Sequence, residues 1–191
     1  MRRWLAAVLM MLLLPLSACS AGETDELQTP MAFRTALLSA GECSFTAQMR
    51  VDLEDRLYDV TLECECSADG SARLTVLAPD TIAGISAQLQ QGRGTLDYDG
   101  MAVDFGLLPQ TELAPIAIPA LVVAYWREAY IDSAGWEDET LRVTYDNDMD
   151  DEQIIVDTWF DAQQTPIYAE VSVDGTVHAT IQLTDVTIDG G

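Results

Sequence analysis

Apolar and polar residues alternate strictly over two neighbouring stretches, a pattern typical of half-buried strands. Apolar side chains take the odd positions over 43–53 and the even positions over 58–66. If the intervening turn centres on Asp55-Arg56, Leu53 faces Tyr58 and every apolar residue of the two strands falls on one side. The sequence therefore predicts an antiparallel hairpin with one buried face and one solvated face.

Shorter strand-like stretches follow, separated by turn residues such as Asp99-Gly100. They cover 72–78, 84–90, 94–98, 101–105, 140–146, 153–161, 165–172 and 177–188. A two-residue Asp174-Gly175 turn between the last two would pair Val171 with His178 and break the apolar faces. We therefore predict a three-residue loop with Gly175 left-handed, which pairs Val171 with Val177.

Two segments have helical periodicity instead. In the first, 30–40, Thr29 can cap the helix, Pro30 suits its first position and Gly41 ends it. The second, 119–131, is apolar almost all round at its start and is predicted to be buried. This order of elements indicates an α+β fold. We expect one curved antiparallel sheet, an open half-barrel of roughly ten strands with the helices in its concavity.

The N-terminus has the pattern of a signal peptide, with Arg2-Arg3 before an apolar run too short for a comfortable membrane span. Leu16-Ser17-Ala18-Cys19 resembles the bacterial lipobox. We therefore predict that residues 1–18 are removed and that Cys19 is acylated. The acyl chains would anchor the protein to the extracytoplasmic face of the bacterial cell membrane. Ordinary secretion, with a chance cysteine at this place, is the alternative.

Residues 19–29 lack apolar periodicity and predict a flexible tether to a single half-barrel domain, 30–191. The chain has 32 Asp and Glu against 9 Arg, so its net charge is −23. Signal-peptide removal takes away two arginines and no acid, which would make the charge −25. Such a body is repelled by an anionic bilayer, so the acyl chains alone would hold it there.

Composition excludes several kinds of chemistry. The chain has no lysine and one histidine, His178, which argues against P-loop, Schiff-base and paired-histidine zinc sites. The acidic charge argues against a nucleic-acid partner. There is no Gly-x-Ser-x-Gly nucleophile elbow, and His178 should point outward. We predict no enzymatic activity and no cofactor.

Four short segments, spread over most of the predicted domain, occur in an order that resembles a known group of proteins. They are Pro79–Ile85, Leu96–Gly100, Ile118–Leu121 and Trp159–Gly175. In this order they resemble the LolA/LolB/LppX-type superfamily of lipoprotein- and lipid-carrying half-barrels, in particular the lipobox-bearing lipoproteins of Gram-positive bacteria. The resemblance implies an apolar cavity for acyl chains and no catalysis. The lipobox implies an anchored protein rather than a soluble carrier, and no position matches a carrier's functional arginine.

The inner face of the first hairpin and the second helix are the main candidates for ligand binding. The predicted cleft-lining residues are Phe45, Met49, Val51, Val60, Leu62, Leu121, Val122, Tyr125 and Trp126. Since lipid-binding pockets are largely apolar, we expect a lipid or another apolar ligand. The same residues would also suit an ordinary filled core. A different function is a non-catalytic envelope protein whose acidic surface meets a basic partner or cell-wall component.

Three cysteines remain once Cys19 is acylated. In the predicted register Cys66 faces Phe45 and lies diagonal to Cys43, so a slight bulge would permit a Cys43–Cys66 disulfide, which export allows. Three free buried thiols are the alternative. A metal site is disfavoured because Cys64-x-Cys66 is not the usual spacing.

Carboxylates alternate over Asp146–Glu152, as they do in a calcium-binding loop. However, Asp151 stands where an EF-hand requires glycine, and predicted strands flank the segment. We therefore expect a solvated hairpin loop rather than a metal site.

Overall fold

One antiparallel sheet organises the chain in the computed structural model, which describes residues 26–53, 56–90, 93–107, 115–147 and 153–189. Its eleven strands are β1 (Glu42–Leu53), β2 (Arg56–Ser67), β3 (Ala72–Ala78), β4 (Ser86–Gln90), β5 (Arg93–Tyr98), β6 (Met101–Leu107), β7 (Tyr130–Glu137), β8 (Thr140–Asp146), β9 (Ile154–Phe160), β10 (Pro166–Val173) and β11 (Thr176–Asp189). The described residues form two helices, α1 (Gln28–Ser39) and α2 (Ile118–Glu128), and a short 3-10 turn (Pro115–Ala117) precedes α2.

The strand order shows that the sheet is open. The order is β6-β5-β4-β3-β2-β1-β11-β10-β9-β8-β7, so β6 and β7 each pair with a single neighbour among the described strands. Two sequential meanders, β1 to β6 and β7 to β11, are joined where β1 pairs with β11. The predicted fold class, an α+β half-barrel with helices on a curved antiparallel sheet, is confirmed.

Direct cross-strand partners collect apolar side chains on one face, because alternate residues of a strand point to the same side. One such row runs through Phe45, Cys64, Leu74, Ala87, Leu96 and Val103. Both helices pack on this concave face and contribute buried side chains to a single core. The opposite, convex face carries the polar positions of the alternation.

Aromatic rings fill the space between the helices and the sheet. The ring of Phe33 on α1 lies edge-on to Trp126 on α2 and to Phe160 on β9, with centroid distances of 5.3 and 5.2 Å. The Trp126 indole N–H donates to Thr158 Oγ1 at 2.9 Å, so the polar group of this buried ring has a partner. Edge-to-face contacts of this kind add to the stabilisation from burial alone.

An arginine on α1 joins the two helices. Arg34 donates from Nε to the Trp126 carbonyl oxygen at 2.7 Å and from Nη2 to the Ala129 carbonyl oxygen at 2.6 Å. These carbonyls belong to the C-terminal end of α2, where a helix leaves acceptors without partners and favours positive charge. The contact therefore fixes α1 against the end of α2.

The register of the first hairpin differs from the prediction by two residues. Leu53 pairs with Arg56 and Val51 with Tyr58, so the predicted Leu53–Tyr58 pair is wrong. Two residues separate the paired Leu53 and Arg56, whereas four separate Leu53 and Tyr58 in the predicted pairing. Because the side-chain period of a strand is two, this shift leaves every residue on its predicted face.

The last hairpin has a shorter turn than predicted. Asp174 and Gly175 both adopt left-handed conformations, with φ of 49° and 79°, as a two-residue turn matched to strand twist requires. The left-handed Gly175 was expected, whereas the three-residue loop is wrong. Val171 pairs with Ala179 rather than Val177, because the register shifts by one residue immediately after Val171. Without this bulge, the two-residue turn would place Val171 opposite His178. With it, Val171 lies opposite the apolar Ala179.

The helices and one strand also depart from expectation. Helix α1 begins at Gln28, within the predicted tether, and Thr29 is buried inside it instead of capping it. Helix α2 ends at Glu128, and the strand β7 that follows was not predicted. Its alternation is interrupted by a register shift after Ile131, which hides the strand pattern in the sequence.

None of the described helices is long and apolar enough to cross a membrane.

Candidate functional site

The nine predicted cleft residues come together beneath the helices, mostly as tightly packed core. Tyr125 is 6% exposed, and Val60 and Leu121 are half-buried. The others are at most 3% exposed: Phe45, Met49, Val51, Leu62, Val122 and Trp126. The Phe45 and Trp126 ring centroids lie 6.1 Å apart. The neighbours of these side chains are therefore mainly other core side chains, and accessible apolar surface has to be sought further along the same face.

The apolar face continues onto β5 and β6, where its side chains become exposed. Leu96 pairs with Val103, and Tyr98 with Met101, across the Asp99-Gly100 turn. Leu96 is half-buried, whereas Tyr98, Val103 and Met101 are 46%, 61% and 66% exposed. We call these four residues the β5–β6 apolar patch. Adjacent exposed apolar residues of this kind often mark a binding surface.

The position of the patch follows from the strand pairing. Leu96 is the direct partner of Ala87, which pairs with the fully buried Leu74. The same row of side chains therefore passes from the core to the surface within three strands. Sequence reasoning predicted both β5 and β6 but missed the patch, because alternation does not show how far the helices extend over the sheet.

The three cysteines form a buried group on the concave face. Cys43 pairs directly with Cys66, and Cys64 pairs with Phe45, so the predicted Phe45–Cys66 pair is wrong. All three are free thiols in this structure. Burial raises the pKa of Cys43 to about 11 and that of Cys66 to about 12, and it raises the pKa of Cys64 as well. The thiols are therefore protonated and poorly nucleophilic at neutral pH.

The observed register bears on the predicted disulfide. Directly opposed residues in an antiparallel pair have Cα atoms about 4.5–5.5 Å apart. That spacing falls within the range of about 4.4–6.8 Å found for disulfides. The pairing of Cys43 with Cys66 therefore suits a disulfide without the bulge that the sequence register required.

Other candidate positions offer no assembled chemistry. Among the described residues, no three His, Cys, Asp or Glu side chains are arranged to hold a metal ion. His178 is half-buried on β11, with Nδ1 3.2 Å from the Asp52 carbonyl oxygen. Two predicted features, Cys19 and the segment 148–152 of the acidic loop, lie outside the described residues.

No protein-family model matches the sequence, and no curated protein matches it. Solved structures similar to the chain include an uncharacterized conserved protein from Thermus thermophilus, at 9% identity and a TM-score of 0.48, over 86% of this chain and 88% of that one. Lipoprotein LppX of Mycobacterium tuberculosis is similar at 8% identity and a TM-score of 0.42, over 87% and 100% of the two chains. A LolA superfamily protein from Nitrosomonas europaea is similar at 7% identity and a TM-score of 0.41, over 81% and 92%.

Proposed function

We propose that this protein is a lipid-anchored extracytoplasmic binding protein that holds a lipid or another apolar ligand on the concave face of its half-barrel. The observation that supports this function is the exposed β5–β6 apolar patch, which extends the apolar core face beyond the helices. The binding surface would then continue the face formed by the nine predicted cleft residues. Of those nine, Leu121 and Val60 are half-buried. No catalytic step belongs to this function.

The patch suits an alkyl chain because of its shape and polarity. Leu96 with Val103, and Tyr98 with Met101, are two neighbouring cross-strand pairs and form a continuous apolar strip. Burying apolar surface contributes about 25 cal/mol per Å², or about 0.8 kcal/mol for each methylene group. An acyl chain lying along the strip would gain this free energy without needing a charged partner on the protein.

Photocrosslinking in the host membrane tests this function on the full-length protein. A photoactivatable, alkyne-tagged fatty acid would be supplied to cells, and crosslinked peptides would be mapped by mass spectrometry. We expect crosslinks within 93–107 that fall roughly tenfold in Val103→Glu, because an acyl chain bound there would cover the exposed carboxylate and remove it from water without a partner. Mapping separates these crosslinks from label incorporated into the lipid anchor.

Leu77→Glu is the matched control for this experiment. Leu77 is 46% exposed but lies on the other face of β3 from the buried Leu74 and Val76. The Leu77→Glu variant should leave the crosslinks within 93–107 unchanged. The proposed function would be wrong if the wild-type protein gave no crosslink there, or if both variants lowered the yield equally.

A further inference from the structure

A second, chemically different groove crosses the convex face of the sheet. It has a volume of about 470 Å³ and is lined by side chains from β1, β2, β10 and β11 and by Ala78-Pro79. Gln48 on β1 pairs with Thr61 on β2 and with Gln182 on β11, and Gln182 pairs with Tyr168 on β10. These four residues therefore form one polar row across four neighbouring strands, on the opposite face from the core.

Two ring-shaped side chains stand at opposite ends of this groove. Pro79 lies beyond the end of β3, and Tyr168 lies on β10. The Tyr168 ring packs against Trp159, with the centroids 5.2 Å apart, and Trp159 in turn stacks under the Arg142 guanidinium at 5.2 Å. The Tyr168 hydroxyl donates to Glu170 Oε1 at 2.8 Å. These contacts hold the tyrosine ring in a fixed position beside the groove.

The polar groups of the groove floor are available to a ligand. The side-chain amides of Gln48 and Gln182 make no hydrogen bond with any described residue. Each amide offers two N–H donors and one carbonyl acceptor. Among the described residues, the groove lining carries one cation and one anion, Arg50 and Asp59, which approach each other to 4.0 Å. The floor is therefore rich in hydrogen-bonding groups and has no excess charge.

We propose that this groove binds an uncharged oligosaccharide. A sugar ring combines hydroxyl groups, which match amides and hydroxyls, with an apolar C–H face, which matches the rings of Tyr168 and Pro79. The volume lies within the range of about 300–1,000 Å³ found for small-molecule sites. An anionic polymer fits poorly, because the protein has a net charge of −23 and like charges repel.

A neighbouring convex groove provides a natural contrast. It has a volume of about 580 Å³, and its described lining residues include Glu65, Arg73, Gln88 and Arg93 but no aromatic residue. Its row of cross-strand partners joins Glu65 to Arg73 and Arg73 to Gln88. It therefore has amide groups and charges on the same face of the sheet but lacks a ring for sugar stacking.

Calorimetry on the full-length protein tests the proposal. The protein would be extracted in a detergent without a sugar headgroup and titrated with tetramers of β-1,4-linked N-acetylglucosamine and of β-1,4-linked glucose. We expect saturable binding of at least one tetramer. Gln182→Leu should weaken it about tenfold by removing hydrogen bonds from an exposed position. Tyr168→Ala should weaken it further, whereas Tyr168→Phe should retain the stacking contribution.

Gln88→Leu, in the neighbouring groove, is the matched control and should leave the affinity unchanged. The proposal would be overturned if neither tetramer bound saturably, or if Gln182→Leu and Gln88→Leu had equal effects. Preferential binding of an anionic heparin tetramer would also overturn it. Because this groove and the apolar patch lie on opposite faces, Val103→Glu should not alter sugar binding. Either proposal can therefore fail without the other.

Discussion

At the scale of single residues, the core contains a buried polar contact between Trp126 and Thr158. Trp126 and Thr158 are both fully buried, and the indole N–H donates to Thr158 Oγ1 at 2.9 Å. Thr158→Val keeps the side-chain shape but leaves the N–H unpaired, which should lower the free energy of unfolding by about 1–3 kcal/mol. Urea unfolding measures this change.

The matched control for this prediction is Thr158→Ser, which retains the hydroxyl and loses a methyl group. It should cost less than Thr158→Val if the hydrogen bond matters more than the packing. A larger loss of stability in the serine variant would show that Trp126 depends on the methyl contact instead.

Single residues also show where prediction from the sequence stops. Alternation placed Phe45 and Met49 on the inner face of β1, and both are buried. It could not show that Val103, on the same face, is 61% exposed, because exposure depends on which parts of the sheet the helices cover. Nor could it reveal the hydrogen bond between Trp126 and Thr158, since the two residues lie on elements distant in sequence.

At the scale of elements, the β1–β2 hairpin carries the cysteine pair. Because Cys43 and Cys66 are direct partners, we expect oxidation in the extracytoplasmic space to join them and leave Cys64 free. A disulfide here would add about 2–4 kcal/mol of stability. Alkylation of the denatured protein without reductant, followed by mass spectrometry, should modify one of these three cysteines.

Reduction before alkylation gives the control, in which all three cysteines should react. In the Cys64→Ala variant, neither Cys43 nor Cys66 should react in the unreduced sample, and both should react after reduction. Modification of all three cysteines of the wild-type protein without reductant would contradict the disulfide and support the alternative of free buried thiols.

The elements themselves were largely predictable, but their pairing was less so. Alternation determines which side of a strand is buried. A shift of two residues between β1 and β2 leaves every side chain on the same side, so alternation alone could not determine which residue pairs with Leu53. Strand β7 was missed because its register shift after Ile131 breaks the alternation. Both errors concern features that depend on contacts between strands, which a local pattern does not contain.

At the scale of the whole molecule, the acidic body and the lipid anchor are expected to have separate roles. Cys19→Ala should abolish labelling by radioactive palmitate and release the protein from the membrane fraction. The body that signal-peptide removal would leave, with a charge of −25, would have no electrostatic attraction to an anionic bilayer that could replace the acyl chains. Fractionation of cells and immunoblotting measure this release.

Cys64→Ala serves as the matched control, because Cys64 is a buried cysteine of the sheet and should not affect labelling. Membrane retention of the Cys19→Ala protein after a high-salt wash would contradict the predicted anchor. It would point instead to the apolar surface of the folded domain as a membrane contact.

If the chain is exported as proposed, the pairing of β1 with β11 in the middle of the sheet also constrains its folding during export. Strands β1 to β6 can pair with one another as they emerge, and so can β7 to β10, since both meanders are sequential. The two halves would stay unjoined until Thr176–Asp189 has emerged. Until then β1 and β10 both present unpaired backbone groups, which readily pair with other chains. We therefore expect a nascent chain that stops before β11 to aggregate more readily than the complete chain.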